Sequence, residues 1–182
     1  MIRIIAGKYK GRFLKVPDSK VTRPTMDKVK QALFSAIKDK PVNSVVLDLF
    51  AGSGSLGIEA LSRGASKVYF IEKNSKTFSV LKENVLSLNP DKDTYEVIHT
   101  DYRIFLKKRN QVKFDLVFLD PPYRFAINQK IINYMRDENL LNDGAIIVSE
   151  QDDKNDDIKG FTMKDYRYGE KYVGIYTKEL TA

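Results

Sequence analysis

From residue 44 onward the chain alternates short, almost wholly apolar runs with longer amphipathic ones. Val45–Leu49, Lys67–Glu72, Tyr95–His99, Asp115–Leu119 and Ala145–Ser149 predict strands, and the stretches at about 55–64, 75–88, 102–109 and 127–137 predict helices. Strands this apolar are buried on both faces, so the pattern specifies a parallel sheet covered by helices on each side. Beyond residue 150 the alternation stops. The acidic stretch Gln151–Gly160 predicts a solvated loop, and Phe161–Tyr168 with Tyr172–Lys178, joined at Gly169-Glu170, predict a closing antiparallel hairpin. Ahead of the sheet pattern, residues 2–5 and 12–16 predict two short strands around the tip Gly7-Lys8-Tyr9-Lys10-Gly11. Thr22-Arg23-Pro24-Thr25 predicts a turn feeding a helix at about 26–38, with Thr25 as its cap and Val29, Leu33, Ala36 and Ile37 as its apolar stripe. Lys28, Lys30 and Lys38 fall mostly off that stripe. The expected architecture is an α/β fold with a seven-stranded, mostly parallel sheet, preceded by a small hairpin and helix.

Composition narrows what such a fold does. With 182 residues the chain has room for one domain with a sizeable core and a small appendage, divided here as 1–40 and 41–182. No cysteine and a single histidine, His99, exclude thiolate metal sites and a histidine cluster, so no metal is expected. The N-terminus lacks the apolar core of a signal peptide and no run approaches the length of a membrane span, which makes the cytoplasm the expected compartment. The net charge of +7 is unevenly spread: residues 1–40 hold eleven basic and three acidic side chains, whereas the remainder is almost balanced. A basic block beside a neutral domain is the pattern of a polyanion-binding arm, because phosphate contacts supply sequence-independent affinity. Lys8, Tyr9, Lys10 and Arg12, at or near the hairpin tip, are the expected nucleic-acid contacts. Lys107-Lys108-Arg109 precedes the fourth strand of the sheet and falls at the opposite edge.

Two motifs carry chemistry. The first follows the first strand of the sheet: Asp48-Leu49-Phe50-Ala51-Gly52-Ser53-Gly54-Ser55-Leu56-Gly57, with Glu72 ending the next strand. Gly52 to Gly57 reads as a dinucleotide fingerprint, which keeps a nicotinamide or flavin oxidoreductase open. Asp48 speaks against it, since a carboxylate near the helix N-terminus repels a pyrophosphate and suits a cationic, phosphate-free ligand such as S-adenosylmethionine. Glu72 is then an acceptor for both ribose hydroxyls and Asp101 for the adenine amine. The second motif is Asp120-Pro121-Pro122-Tyr123, delivered to the end of a buried strand, where α/β proteins bind ligands. An exocyclic base amine is a poor nucleophile until its N–H bonds are accepted and its lone pair localised. Asp120 and the Pro121 carbonyl are the two acceptors, the prolines fix their geometry, and Tyr123 offers a stacking face worth ~1–3 kcal/mol.

Together these segments, with Arg3-Ile4-Ile5-Ala6-Gly7 and Arg23-Pro24-Thr25…Val29-Lys30…Ala32-Leu33-Phe34, resemble the RsmD family of bacterial S-adenosylmethionine-dependent methyltransferases. The similarity spans nearly the whole chain. It implies a Rossmann-like class I methyltransferase that modifies the N2 amine of one guanine in small-subunit (16S) ribosomal RNA. It further implies that Asp48, Phe50, Ala51, Gly52 and Gly54 line the methionine end of the cofactor, Glu72 and Lys73 the ribose, and Asp101 and Tyr102 the adenine. Asp120 meets the methyl end, while Arg23 and Thr25 close over the cofactor, Arg23 also reaching RNA. Met26 departs from the family's usual small or polar residue, and Asn89–Thr94 is individual. The implied partner is ribosomal RNA within a small-subunit particle, bound by a monomer. A DNA or RNA amino-methyltransferase acting on adenine N6 ranks next, followed by the oxidoreductase and by a non-catalytic RNA-binding protein.

Overall fold

The computed structural model describes residues 1–17, 23–108, 112–122 and 127–181. A two-stranded antiparallel ribbon opens the chain, β1 (Ile2–Arg3) with β2 (Phe13–Leu14), followed by helix α1 (Arg23–Ile37). The alternating body then runs β3 (Val45–Asp48), α2 (Ser55–Ser62), β4 (Lys67–Glu72), α3 (Ser75–Ser87), β5 (Tyr95–His99), α4 (Tyr102–Lys108), β6 (Phe114–Leu119), α5 (Asn128–Asp137) and β7 (Leu141–Gln151). It closes with the hairpin β8 (Phe161–Tyr168) and β9 (Lys171–Lys178). Strand order is β5-β4-β3-β6-β7-β9-β8, parallel except that β9 runs antiparallel between β7 and β8. The chain proceeds one way from β3 to β5 and the other way from β6 outward, so the order reverses between β3 and β6. Such a switch point opens a crevice at the carboxyl ends of the strands.

Alternation along the central strands divides the core in two. Val46, Val68, Phe70, Leu116 and Phe118 face α1, α2, α3 and the N-terminal ribbon, while Leu47, Tyr69, Ile71, Val117 and Leu119 face α4 and α5. Among the described residues no helix is long and apolar enough to cross a membrane.

The seven-stranded sheet and its closing hairpin match the pattern expected from sequence; several local expectations need correction. Helix α1 begins at Arg23, so Thr25 lies inside its first turn rather than capping it. Lys30, expected off the apolar stripe, is buried and ion-paired 3.3 Å from Glu59. Burial lowers its pKa, with Glu59 opposing. The 151–160 segment is not simply solvated. Gln151 ends β7, Asn155 and Ile158 are buried, and the Asn155 amide donates to Asp165 Oδ1 at 2.9 Å. That bond ties the segment to β8, which no hydropathy pattern announces.

The N-terminal ribbon is clamped to the body by buried polar groups. Glu59, fully buried on α2, accepts from the Ile5 and Ala6 amides at 2.8 and 3.1 Å. Asn84 on α3 accepts from the Lys15 amide at 2.9 Å and donates to Ser53 O at 2.8 Å. Lys30 Nζ donates to Arg3 O at 2.6 Å and to Ser55 Oγ at 3.2 Å. The last two links join the ribbon to the turn after β3.

Candidate active site

The turn between β3 and α2 is shaped by its glycines. Gly57 lets α2 approach the sheet: a Cβ there would lie 2.4 Å from the Phe70 ring and 3.0 Å from Asp48 Oδ2. Gly52 has φ +57° with open space where a side chain would project. Asp48, at the end of β3, is 3% exposed and accepts the Gly57 amide at 2.9 Å. Burial raises its pKa to about 7, aided by Asp120 and Glu72 and opposed by the Gly57 amide. Glu72, ending β4, accepts from the Gly52 and Asn74 amides, both at 3.3 Å. Ala51 is buried and donates its amide to Ile71 O at 2.9 Å. The Phe50 and Tyr102 rings pack with centroids 5.1 Å apart.

Asp101 takes partners that its sequence position does not reveal. It accepts from the Arg103 backbone amide at 2.8 Å and from the Arg103 guanidinium at 2.9 and 3.1 Å, with Lys73 Nζ at 3.5 Å. These partners hold its carboxyl down at about 2, the Arg103 side chain contributing most. Asp101 thus caps the start of α4 and is charge-paired with Arg103 and Lys73. Lys73 is mostly exposed.

Asp120 follows β6 directly, on the strand that pairs with β3 at the switch point. Asp120 itself is exposed. Burial raises its pKa to about 6; Lys171 lowers it and Asp152 raises it. Pro121 is half-buried and Pro122 exposed, while Tyr123 lies outside the described residues. Glu150 was not anticipated. The register Leu119↔Ser149 brings the residues that follow, Asp120 and Glu150, abreast. Glu150 is raised to about 8 by burial and by Asp120. Asn128 holds these two strand ends together, donating to Ser149 Oγ at 2.8 Å, Glu150 O at 3.2 Å and Leu119 O at 3.4 Å.

The expected RNA-binding residues separate into exposed and anchored groups. Lys8 and Lys10 are exposed at the ribbon tip. Tyr9 is buried at 8% exposure, its amide donating to Ser62 Oγ, so its ring belongs to the core rather than to a stacking surface. Arg12 is exposed but tied down, donating to Ser87 O at 2.8 Å. Arg23 and Thr25 lie in the first turn of α1. In the second basic cluster, Lys107 and Lys108 end α4, and Arg109 lies outside the described residues.

Comparison with known proteins fits this geometry to a family. The family described as "Conserved hypothetical protein 95" matches residues 2–177. The Haemophilus influenzae protein named "Ribosomal RNA small subunit methyltransferase D" is 44% identical over 150 residues, covering 82% of this chain and 78% of that one. The chain belongs to the RsmD family. The Escherichia coli protein of the same name is 38% identical over 154 residues, covering 85% of this chain and 76% of that one. Solved structures agree. The Escherichia coli protein yhhF superimposes with a TM-score of 0.86 at 32% identity over 98% of each chain. A Haemophilus influenzae methylase structure gives 0.82 at 37% identity over 98% of this chain and 99% of that one. An RsmD-family fold accounts for the reversal of strand order between β3 and β6, with Asp48 and Asp120 on its two sides.

Proposed function

We propose that this chain is an S-adenosylmethionine-dependent methyltransferase acting on the N2 amine of a guanine in small-subunit (16S) ribosomal RNA. One observation carries the reading: Asp120 and Pro121 stand at the end of β6, beside the acid-lined turn after β3, in a member of a family whose named relatives are ribosomal RNA methyltransferases. The site suits the cofactor: there is open space above Gly52, with Asp48 and Glu72 around the turn. S-adenosylmethionine supplies a methyl group on a cationic sulfur. Asp48, Phe50, Ala51, Gly52 and Gly54 are assigned to its methionine end, Glu72 and Lys73 to its ribose, and Tyr102 to its adenine. Arg23 and Thr25 are assigned to its closure. Asp101 serves the adenine end by fixing the start of α4, and meets the amine directly only if Arg103 or Lys73 yields.

Asp120 and the Pro121 carbonyl accept the two N–H bonds of the base amine, freeing the nitrogen lone pair for attack. Attack leaves the nitrogen with an acidic proton, and the Asp120 carboxylate takes it. A carboxyl pKa of about 6 keeps Asp120 mainly ionised at neutral pH yet able to receive that proton. Glu150, raised to about 8, retains its proton there, so the pair carries one charge rather than two. Tyr123 is assigned the stacking face. The choice of guanine rests on the family, since the acceptor pair fits any exocyclic amine. Lys8 and Lys10 grip the RNA, which we place within a small-subunit particle, and the protein acts as a cytoplasmic monomer.

The test is Asp120→Ala with purified small-subunit particles as methyl acceptor. Methyl transfer is expected to disappear while calorimetric binding of S-adenosylmethionine changes little, and the wild-type rate to fall as pH drops through about 6. Retained turnover in the variant would remove Asp120 from the chemistry.

A further inference from the structure

A groove lies between the N-terminal ribbon and α1, lined by Met1, Arg3, Ile5, Phe13, Asp27, Lys28 and Gln31, with a volume near 420 Å³. That volume is within the range of small-ligand sites. Its lining combines an aromatic ring, two basic side chains, a carboxylate and an amide. Phe13 is 58% exposed and Met1 50%, an unusual surplus of apolar surface on so small a ribbon. The register Arg3↔Phe13 puts a guanidinium beside that ring on the outward face, because Ile2 and Leu14 turn inward. Lys28 is exposed on the facing helix. Asp27 Oδ1 is buried without a hydrogen-bond partner among the described residues. A buried, unsatisfied acceptor costs free energy until a donor reaches it.

The groove is also near the site. A single ammonium, Lys30 Nζ, donates to both Arg3 O and Ser55 Oγ, so the ribbon's inner edge touches the turn that frames the active site. We propose that the groove binds an unpaired nucleotide of the substrate RNA close to the target base. The base stacks on Phe13, Arg3 and Lys28 meet its phosphates, and Asp27 with Gln31 takes an N–H of its edge. The charge supports an RNA occupant over an apolar peptide, since the groove belongs to the basic first forty residues of the chain. This inference rests on the RNA methyltransferase reading and assigns a specificity role to residues outside the reaction centre.

The test uses the full chain and small-subunit particles from cells lacking the gene. Phe13→Ala is expected to raise KM for particles by roughly ten-fold, as loss of one stacked base predicts, while calorimetric affinity for S-adenosylmethionine stays unchanged and Phe13→Tyr restores KM. Arg3→Gln with Lys28→Gln is expected to raise KM and to flatten its salt dependence. Phe13→p-benzoylphenylalanine, irradiated on the particle, is expected to crosslink to one RNA nucleotide. An unchanged KM in Phe13→Ala, or a crosslink to a ribosomal protein or to nothing, overturns the groove assignment while leaving the activity standing. If the wild-type chain methylates no particle RNA, the parent reading fails instead.

Discussion

Asp48 shows how one side chain can serve both packing and ligand chemistry. Its carboxyl caps α2 through the Gly57 amide, yet burial and two neighbouring acids raise its pKa to about 7, well above the ~3.9 of an unfolded chain. Between about pH 4 and pH 7 the unfolded chain releases a proton that the folded protein keeps. Folded stability therefore falls as pH rises through that window and levels off above it. An amide at this position keeps an oxygen for Gly57 and never ionises. Asp48→Asn is thus expected to melt higher than wild type, by a margin that grows from about pH 4 to about pH 7 in thermal unfolding. It is also expected to bind S-adenosylmethionine more weakly, having lost a charge near a cationic ligand. A margin that does not change with pH would contradict the assignment. Asp120 and Glu150 show the same displacement put to another use, where two abreast carboxyls share one charge.

Among the elements, the N-terminal ribbon departs furthest from what its sequence suggests. Eleven basic side chains in forty residues read as a polyanion-binding arm, and Glu59, Ser62 and Asn84 hold that arm against α2 and α3. Gly7 permits the closest contact: with φ +84°, a Cβ there would sit 1.9 Å from Ser62 O. Gly11 has a similar φ of +86° and nothing nearby, so it isolates backbone strain from collision. Gly7→Ala is expected to lower stability in denaturant unfolding by ~1–3 kcal/mol beyond the cost of Gly11→Ala. It is also expected to weaken S-adenosylmethionine binding, since Asn84 and Lys30 couple the ribbon to Ser53 and Ser55. Equal costs for the two variants would mean that the ribbon rests only loosely on α2.

The same contacts explain what was legible beforehand. β4, β5 and β8 are recoverable to the residue because apolar runs and turn residues bound them. Asp48, Glu72 and Asp120 were placed by their positions at strand ends. Lys30 reads as lying off the apolar stripe, and no motif marks Glu59 or Asn84, because burial of a polar residue depends on partners 25 to 69 residues distant. Glu150 was hidden for a similar reason: its importance comes from the β6–β7 register rather than from any motif.

At the scale of the whole molecule, the fold sets a charge-rich ribbon beside a crevice that ends in acids. On the proposed function the two serve different partners: buried Asp48 and half-buried Glu72 at the turn after β3 suit a small cation, while the exposed Lys8 and Lys10 suit a polyanion. On the proposed function, a ribbon anchored to α2 and α3 relates the position of a gripped RNA to the position of Asp120, so that one base among many is presented to the acceptor pair. Selectivity on that account depends on the shape of the assembled particle as well as on local sequence.

The most direct measurement is mass-spectrometric mapping of modified nucleosides in small-subunit ribosomal RNA from cells lacking the gene, alongside cells complemented with wild type or with Asp120→Ala. One N2-methylguanosine is expected to disappear, to return with the wild-type gene and to remain absent with the variant. A modification map identical in all of these cells would contradict the central claim.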